Sequence, residues 1–468
     1  MSKRSLGVLL CTILFSGTAS LYGVDNQALV AAGKQAAQAK VFNIKGYGAV
    51  GDGVTMDTKA LQSAIDACNA NQGGIVWVPA GDYHIGTIRL KSNVTLSLDY
   101  GASLLGSQKI ADYATDYRPT REGEGRSLIY AEDATHVVIE GLGVIDGRGT
   151  PEVFPRKQGS PRPHLMHMVN CDQLTFSGVT YTRAASWGLH LIDCRNIHFD
   201  GVTVRLRDNQ YNNDGLDLDG CENVLIENCD INAGDDAICL KSSLNPCRNI
   251  VVRNCDVTSD TAAFKLGTSS RGGFIDVSVT NCRFYDCPMG AIKLELVDGG
   301  QLENIRMSRI VMEEVGDPIF IRLGNRGRTY KERIGQKQNA DVEPEGAPIG
   351  TLKNVRISDV VAEVVGDDKS RSGPIMIAGI PGHTIENVVL ENIKISYPGG
   401  GSQEDAERVV PEDIARYPEQ FFFGILPSWG AYIRHARNIE FKNVELVLRS
   451  ADARQKIVLD DVEGFVHH

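Results

Sequence analysis

Four short segments, DGLDLDG at 214–220, DAICLKS at 236–242, AAFKLGT at 262–268 and GAIKLEL at 290–296, lie over one another as rungs of a ladder. Their starts are separated by 22, 26 and 28 residues. Within each rung the apolar residues alternate: Leu216 and Leu218, Ile238 and Leu240, Phe264 and Leu266, Ile292 and Leu294. Alternation with period two marks a strand with one buried face, and its return at the length of one solenoid coil predicts a stack of such strands. The other parity carries Asp217, Cys239, Lys265 and Lys293, then Asp219, Lys241, Gly267 and Glu295, so the outer face of the expected sheet is largely charged. Stacked coils set equivalent residues roughly 4.8 Å apart. Asp214 and Asp236 are therefore expected neighbours, with Asp235 beside them. Three carboxylates on one patch raise one another's pKa, and such costly groupings concentrate at functional sites.

Outward from these rungs a second signature recurs: a polar residue or Asn, then Ile or Val, then alternating apolar positions. It appears as RNIHFDGV at 195–202, ENVLIENC at 222–229, RNIVVRNC at 248–255 and ENIRMSRI at 303–310, then as KNVRISDV at 353–360, ENVVLENI at 386–393 and RNIEFKNV at 437–444. Each coil thus supplies at least two strands, and no coil can bury its apolar edge without a neighbour. One long core is expected in place of the several domains that 468 residues would suggest. The wide gaps, 304 to 354 and 387 to 438, read as loops with room for further coils. An Asn column, Asn228, Asn254, Asn281, Asn392 and Asn443, is expected to bond from turn to turn along the stack.

Ahead of the ladder, residues 1–23 read as a secretory signal: Lys3 and Arg4, an apolar run from Leu6 to Phe15, then small residues. Residues 24–40 form an Ala- and Gln-rich lead, and a single catalytic domain is expected over 41–468. A helix over Thr58–Cys68, with Leu61, Ala64, Ile65 and Cys68 on one face, is expected to cap the open end of the first coil. The net charge of −11 becomes −13 once Lys3 and Arg4 leave with the signal (−11 − 2), which excludes nucleic acid as a natural partner. No run is long and apolar enough to span a bilayer. A secreted or periplasmic monomer is expected. Of eleven cysteines, ten follow the signal. Cys171, Cys194, Cys221 and Cys247 recur at intervals of 23, 27 and 26, and Cys229, Cys255 and Cys282 at 26 and 27, which suits stacked buried thiols. Pairing of Cys282 with Cys287 or of Cys239 with Cys247 stays open. No metal or cofactor is expected, because no CxxC pair or close set of histidines is present. His190, on the outer parity one rung before Asp217, is a candidate for the groove lining or for packing. Arg434 and His435 are candidates for the groove or for stabilising pairs.

At these residues the sequence resembles glycoside hydrolase family 28, the polygalacturonase family, over most of the chain from Val41. The resemblance rests on Asn212-Asn213-Asp214, close to the family's Asn-Thr-Asp, and on Gly234-Asp235-Asp236, identical to its Gly-Asp-Asp. It departs where Ala291-Ile292-Lys293 stands for Arg-Ile-Lys and Thr261-Ala262-Ala263 for Gly-His-Gly. What it implies is an all-β, right-handed parallel β-helix acting without a metal as an inverting hydrolase on α-linked galacturonate in plant pectin. Asp235 would be the acid, and Asp214 and Asp236 would hold the water. An inverting pair normally stands about 6.5–9.5 Å apart. Lys265, Lys293 and His190 would contact a pectic poly- or oligosaccharide. The missing His and Arg imply a wider, less cationic site, poor action on plain polygalacturonate, and an exo-acting or rhamnogalacturonan-directed enzyme with the insertions 324–350 and 399–429 walling the groove. The alternatives are a calcium-dependent β-eliminating lyase on the same fold and a non-catalytic carbohydrate-binding solenoid.

Overall fold

The computed structural model describes residues 39–118, 125–157, 161–207, 211–328, 348–365 and 372–468. The expected signal at 1–23 and nearly all of the lead at 24–40 lie outside the described residues. Val41–His468 forms one compact unit.

Every pairing between named strands is parallel, and each strand pairs with its counterpart one coil away. Nearly all crossovers between parallel strands are right-handed, and the molecule is a right-handed parallel β-helix. Three rows of strands form its sides. One row runs through Ser127–Glu132, His164–Val169, Leu189–Ile192, Leu216–Asp219, Ile238–Lys241, Phe264–Leu266, Ile292–Leu296, Ile319–Leu323 and Ile375–Ala378. The four rungs lie in this row in the expected register: Leu216, Ile238, Phe264 and Ile292 are successive partners, as are Asp217, Cys239, Lys265 and Lys293. The apolar parity of all rows fills one continuous core. The helix spans Thr58–Ala70, buries Leu61, Ala64, Ile65 and Cys68, and packs on the first coil.

The wide gaps conceal no coil. Ile305 pairs directly with Val355 and Val388 with Ile439, so each gap is an insertion within a single coil. Residues 329–347 of the first insertion lie outside the described residues.

Each turn between two rows needs a residue of positive φ, and Asn accepts that conformation better than most side chains. Asn228, Asn254, Asn281, Asn392 and Asn443 sit there with φ of 56°, 55°, 54°, 53° and 51°. Asn281 donates its amide to Asn254 at 2.7 Å, Asn254 to Asn228 at 3.3 Å, and Asn443 to Asn392 at 3.0 Å. The column is therefore a hydrogen-bonded ladder as well as a set of turns. Asn254→Ala, which keeps a Cβ at positive φ and removes both amide bonds, is expected to cost about 1–2 kcal/mol in chemical denaturation. Asn254→Gly, free of the backbone strain, is expected to cost less. Equal losses would show that the amide bonds alone set the stability of the turn.

All ten described cysteines are free and buried, so neither Cys282–Cys287 nor Cys239–Cys247 is bridged. The thiols stack as small core groups; Cys171 N donates to Cys194 Sγ at 3.3 Å. Among the described residues no helix is long and apolar enough to cross a membrane.

Candidate active site

The carboxylate patch is assembled by backbone bonds between two rungs. Gly215 N donates to Asp236 O at 2.9 Å, and Leu216 N to Ala237 O at 2.9 Å, which holds the start of one strand against the next. A Cβ at position 215 would meet Ala237 O at 2.4 Å, so only glycine allows this approach. Asn213, wholly buried, ties the segment inward through Nδ2 to Ala184 O at 3.3 Å and accepts Gly234 N at 3.2 Å. As a result Asp214, Asp235 and Asp236 each bring one oxygen to within 4.8 Å of the others. Asp214 and Asp236 are buried and Asp235 is half-buried. The cluster is tighter than the span of about 6.5–9.5 Å expected of an inverting pair.

Electrostatics separates the three. Burial, then Asp236, raises the Asp235 carboxyl above its ordinary value. Asp235 is also oriented: it accepts Thr261 Oγ1 at 3.2 Å and Asn212 Nδ2 at 3.3 Å, while Asn212 accepts Arg162 Nη2 at 2.9 Å. Burial pushes Asp236 upward as well, but Lys265, Lys241 and Lys293 outweigh it and the net shift is downward. The Lys265 ammonium lies 3.1 Å from Asp236, and Thr261 Oγ1 donates to Asp236 at 2.9 Å. Burial, then Asp217 and Asp235, holds Asp214 well above the carboxylate range. Lys241, 3.7 Å from Asp214 and 3.1 Å from Asp217, is the nearest cation. Of the three carboxyls, only that of Asp236 is shifted downward, so Asp214 and Asp236, the two expected to hold the water, differ in environment.

The outer face of the sheet is not open in the way its charged parity suggests. Lys265 is 2% exposed and Lys293 0%. Lys293 pairs with Glu419, and Lys265 lies 3.4 Å from Glu419, 3.4 Å from the Tyr417 hydroxyl and 3.9 Å from Glu295. Glu419 and Tyr417 come from the insertion after Gly399. Both lysines therefore face protein acids and are covered, which stands against the expectation that they contact substrate directly. His190 is also corrected. It is 0% exposed and packs among His164, His167 and Trp187 with ring centres at 5.4, 4.9 and 4.8 Å, so it does not line an open groove. Arg434 and His435 make stabilising pairs, Arg434 with Glu412 at 3.0 Å and Asp460 at 2.8 Å, His435 with Asp461 at 2.6 Å. Ala262 and Ala291, at the positions of the missing His and Arg, are wholly buried.

Sequence reasoning passed over Thr261, Lys241, Glu419 and Tyr417. Lys241 was visible in the outward column next to Asp219; Glu419 and Tyr417 had no periodic signal, because the insertion is not part of the repeat.

Glu295 gives the interior a pH signature. It is wholly buried, and burial pushes its carboxyl from 4.5 up to about 8 against the pull of Lys265. Its folded pKa exceeds its unfolded one, so the folded state holds a proton that the unfolded state has released. Stability from this group is complete below 4.5 and is lost as the pH climbs through about 8. Thermal unfolding is expected at a higher temperature at pH 5 than at pH 8.5, and Glu295→Gln is expected to shrink that difference. An unchanged difference in the variant would remove Glu295 as its source.

Residues 68–414 match the family described as glycosyl hydrolases family 28. This chain belongs to that family. Among family relatives it is 29% identical over 292 residues to a probable polygalacturonase of Vitis vinifera, covering 57% of this chain and 60% of that one. It is 43% identical over 121 residues to an exo-poly-α-D-galacturonosidase of Dickeya chrysanthemi, covering 24% of this chain and 20% of the relative. The chain thus spans less than two thirds of the length of these relatives. Its fold resembles that of a family 28 exopolygalacturonase of Yersinia enterocolitica, with a TM-score of 0.73, 21% identity and coverage of 92% of this chain and 78% of the other.

Proposed function

We propose that this family 28 protein is an exported enzyme that hydrolyses α-linked, galacturonate-containing pectic glycans by inversion, from a chain end. The observation that carries the reading is the carboxylate triad, in which one half-buried acid of raised pKa stands beside one buried carboxyl that Lys265, Lys241 and Lys293 shift downward. Asp235 donates its proton to the glycosidic oxygen as that bond breaks. Asp236 takes a proton from a water that attacks the anomeric carbon on the opposite face, and Asp214 orients this water from the other side. Two groups with pKa values pushed apart supply acid and base at one pH. The triad is tighter than a usual inverting pair, and the inverting outcome is supported by the resemblance to family 28, not by the spacing.

A calcium-dependent lyase is disfavoured by the same site. Calcium takes six to eight oxygens, whereas here Lys265 and Lys241 already occupy the positive positions beside Asp236 and Asp214.

Chain-end attack is supported by what covers the outer face beyond Lys293. The outward column continues as Phe320, Met376 and Tyr432, which pack with Val410, Phe423 and Leu426 of the insertion into a second apolar cluster. Buried Arg322 anchors that insertion by donating to Glu412 O at 2.8 Å and Asp413 O at 3.0 Å. A polymer cannot run on through a side that is packed dry. Mass analysis on homogalacturonan, rhamnogalacturonan and defined oligosaccharides is expected to show single residues or short units released from an end, with plain polygalacturonate a poor substrate. A steep fall in viscosity at low reducing-sugar release from polygalacturonate would refute both points.

A further inference from the structure

His164, His167 and His190 each bring a ring nitrogen to within 4.8 Å of the others, and all three are buried, at 2%, 0% and 0% exposure. From their convergence we infer a buried transition-metal site, in which the three imidazoles hold one zinc-like divalent ion. The reaction described above does not use it.

The spacing fits. A tetrahedral ion with nitrogens at about 2.0–2.1 Å sets neighbouring nitrogens roughly 3.3 Å apart and, with the ring radius added, ring centres roughly 5 Å apart. His167 Nδ1 lies 3.2 Å from His190 Nδ1, and the three ring centres are 4.9, 5.4 and 5.7 Å apart at interplanar angles of 49°, 46° and 86°. Rings at these angles present edges to a common point instead of stacking face to face. His164 Nδ1 is buried with no hydrogen-bond partner, while His167 and His190 meet through their Nδ1 atoms. Imidazole donors without thiolates select zinc, copper, nickel or cobalt over calcium or magnesium.

The fold explains how three residues so spaced meet. His164 and His167 are the first and fourth residues of the strand His164–Val169, and His190 pairs with His167 from the next coil. One coil further, Asp217 is the strand partner of His190, and its carboxylate lies 3.1 Å from the Lys241 ammonium. Trp187 packs edge-on against His190 at 4.8 Å and carries the Lys241 ammonium over its ring at 4.7 Å. An ion there would fix the rung that supports Lys241 beside Asp214, a structural role.

The test is titration of the full-length, metal-stripped protein with CoCl2, followed by displacement with ZnCl2. We expect one equivalent of cobalt, the intense visible bands of a four-coordinate ion held by three imidazoles and one further ligand, loss of those bands on adding zinc, and a higher unfolding temperature with zinc. His190→Gln should lose the bands. Glu227→Gln and Asp235→Asn should keep them, because His198–Asp200–Glu227 and Asp214–Asp235–Asp236 are the other groupings of comparable spacing among the described residues. Should His190→Gln not fold, paramagnetically shifted N–H signals from three histidines in the wild-type cobalt protein serve in its place. Weak octahedral-type bands, bands that vanish with Glu227→Gln or Asp235→Asn, or no bound cobalt would overturn the site.

Discussion

Asp235→Asn is expected to lower turnover by about 10²-fold or more while the folded structure and the unfolding temperature change little. The magnitude is that of a lost general acid. Asn cannot deliver a proton to the leaving oxygen, yet it is isosteric, and its one carbonyl oxygen keeps one of the two donors, Asn212 or Thr261, that meet the two carboxylate oxygens of Asp235. Removing the acid also removes its repulsion from Asp236, so the pH dependence of the residual rate should lose the limb that reports a protonated acid. Turnover within a few-fold of wild type in a folded variant would take the acid role from Asp235.

Glu419→Gln is expected to destabilise the protein by about 3 kcal/mol or more, the lower part of the range for breaking a buried pair. Lys293 is wholly buried and pairs with Glu419, which also faces Lys265 at 3.4 Å. Lys265 keeps Asp236 at 3.1 Å, but among the ion pairs of the described residues Lys293 has Glu419 as its partner. Neutralising the acid thus leaves a cation in the interior. The amide can still accept one hydrogen bond, which places the loss toward the lower end. Adding Lys293→Met should recover most of it, since replacing both members of a buried pair is often neutral. Denaturant unfolding of the single and double variants measures this. A loss below about 1 kcal/mol in Glu419→Gln would show that the pair is well hydrated, and with it that the insertion does not seal the outer face.

The contrast between these two residues shows what the sequence disclosed. Asp214, Asp235 and Asp236 were legible because they sit at equivalent points of a repeat, and the coil period turns sequence separation into spatial contact. For the same reason Leu216, Ile238, Phe264 and Ile292 announced the core, and the Asn column announced its turns. Parity reports which side of a sheet a residue takes, however, and says nothing about what lies over that side. Lys265, Lys293 and His190 were assigned to the correct face, and that face is covered. Lys265 and Lys293 are covered by Glu419 and Tyr417 from an insertion outside the repeat. His190 is surrounded by His164 and His167 of the preceding coil and by Trp187 of its own. The histidine trio was missed because its members are three and then twenty-three residues apart, spacings that match no metal motif and become contiguous only when two coils stack.

Inverting hydrolysis at the carboxylate triad is tested by proton NMR of the first-formed product from a defined α-linked galacturonide. A saturated galacturonate that appears first as the β-anomer and then mutarotates is expected. An α-anomer formed first, or an unsaturated uronate, would contradict it.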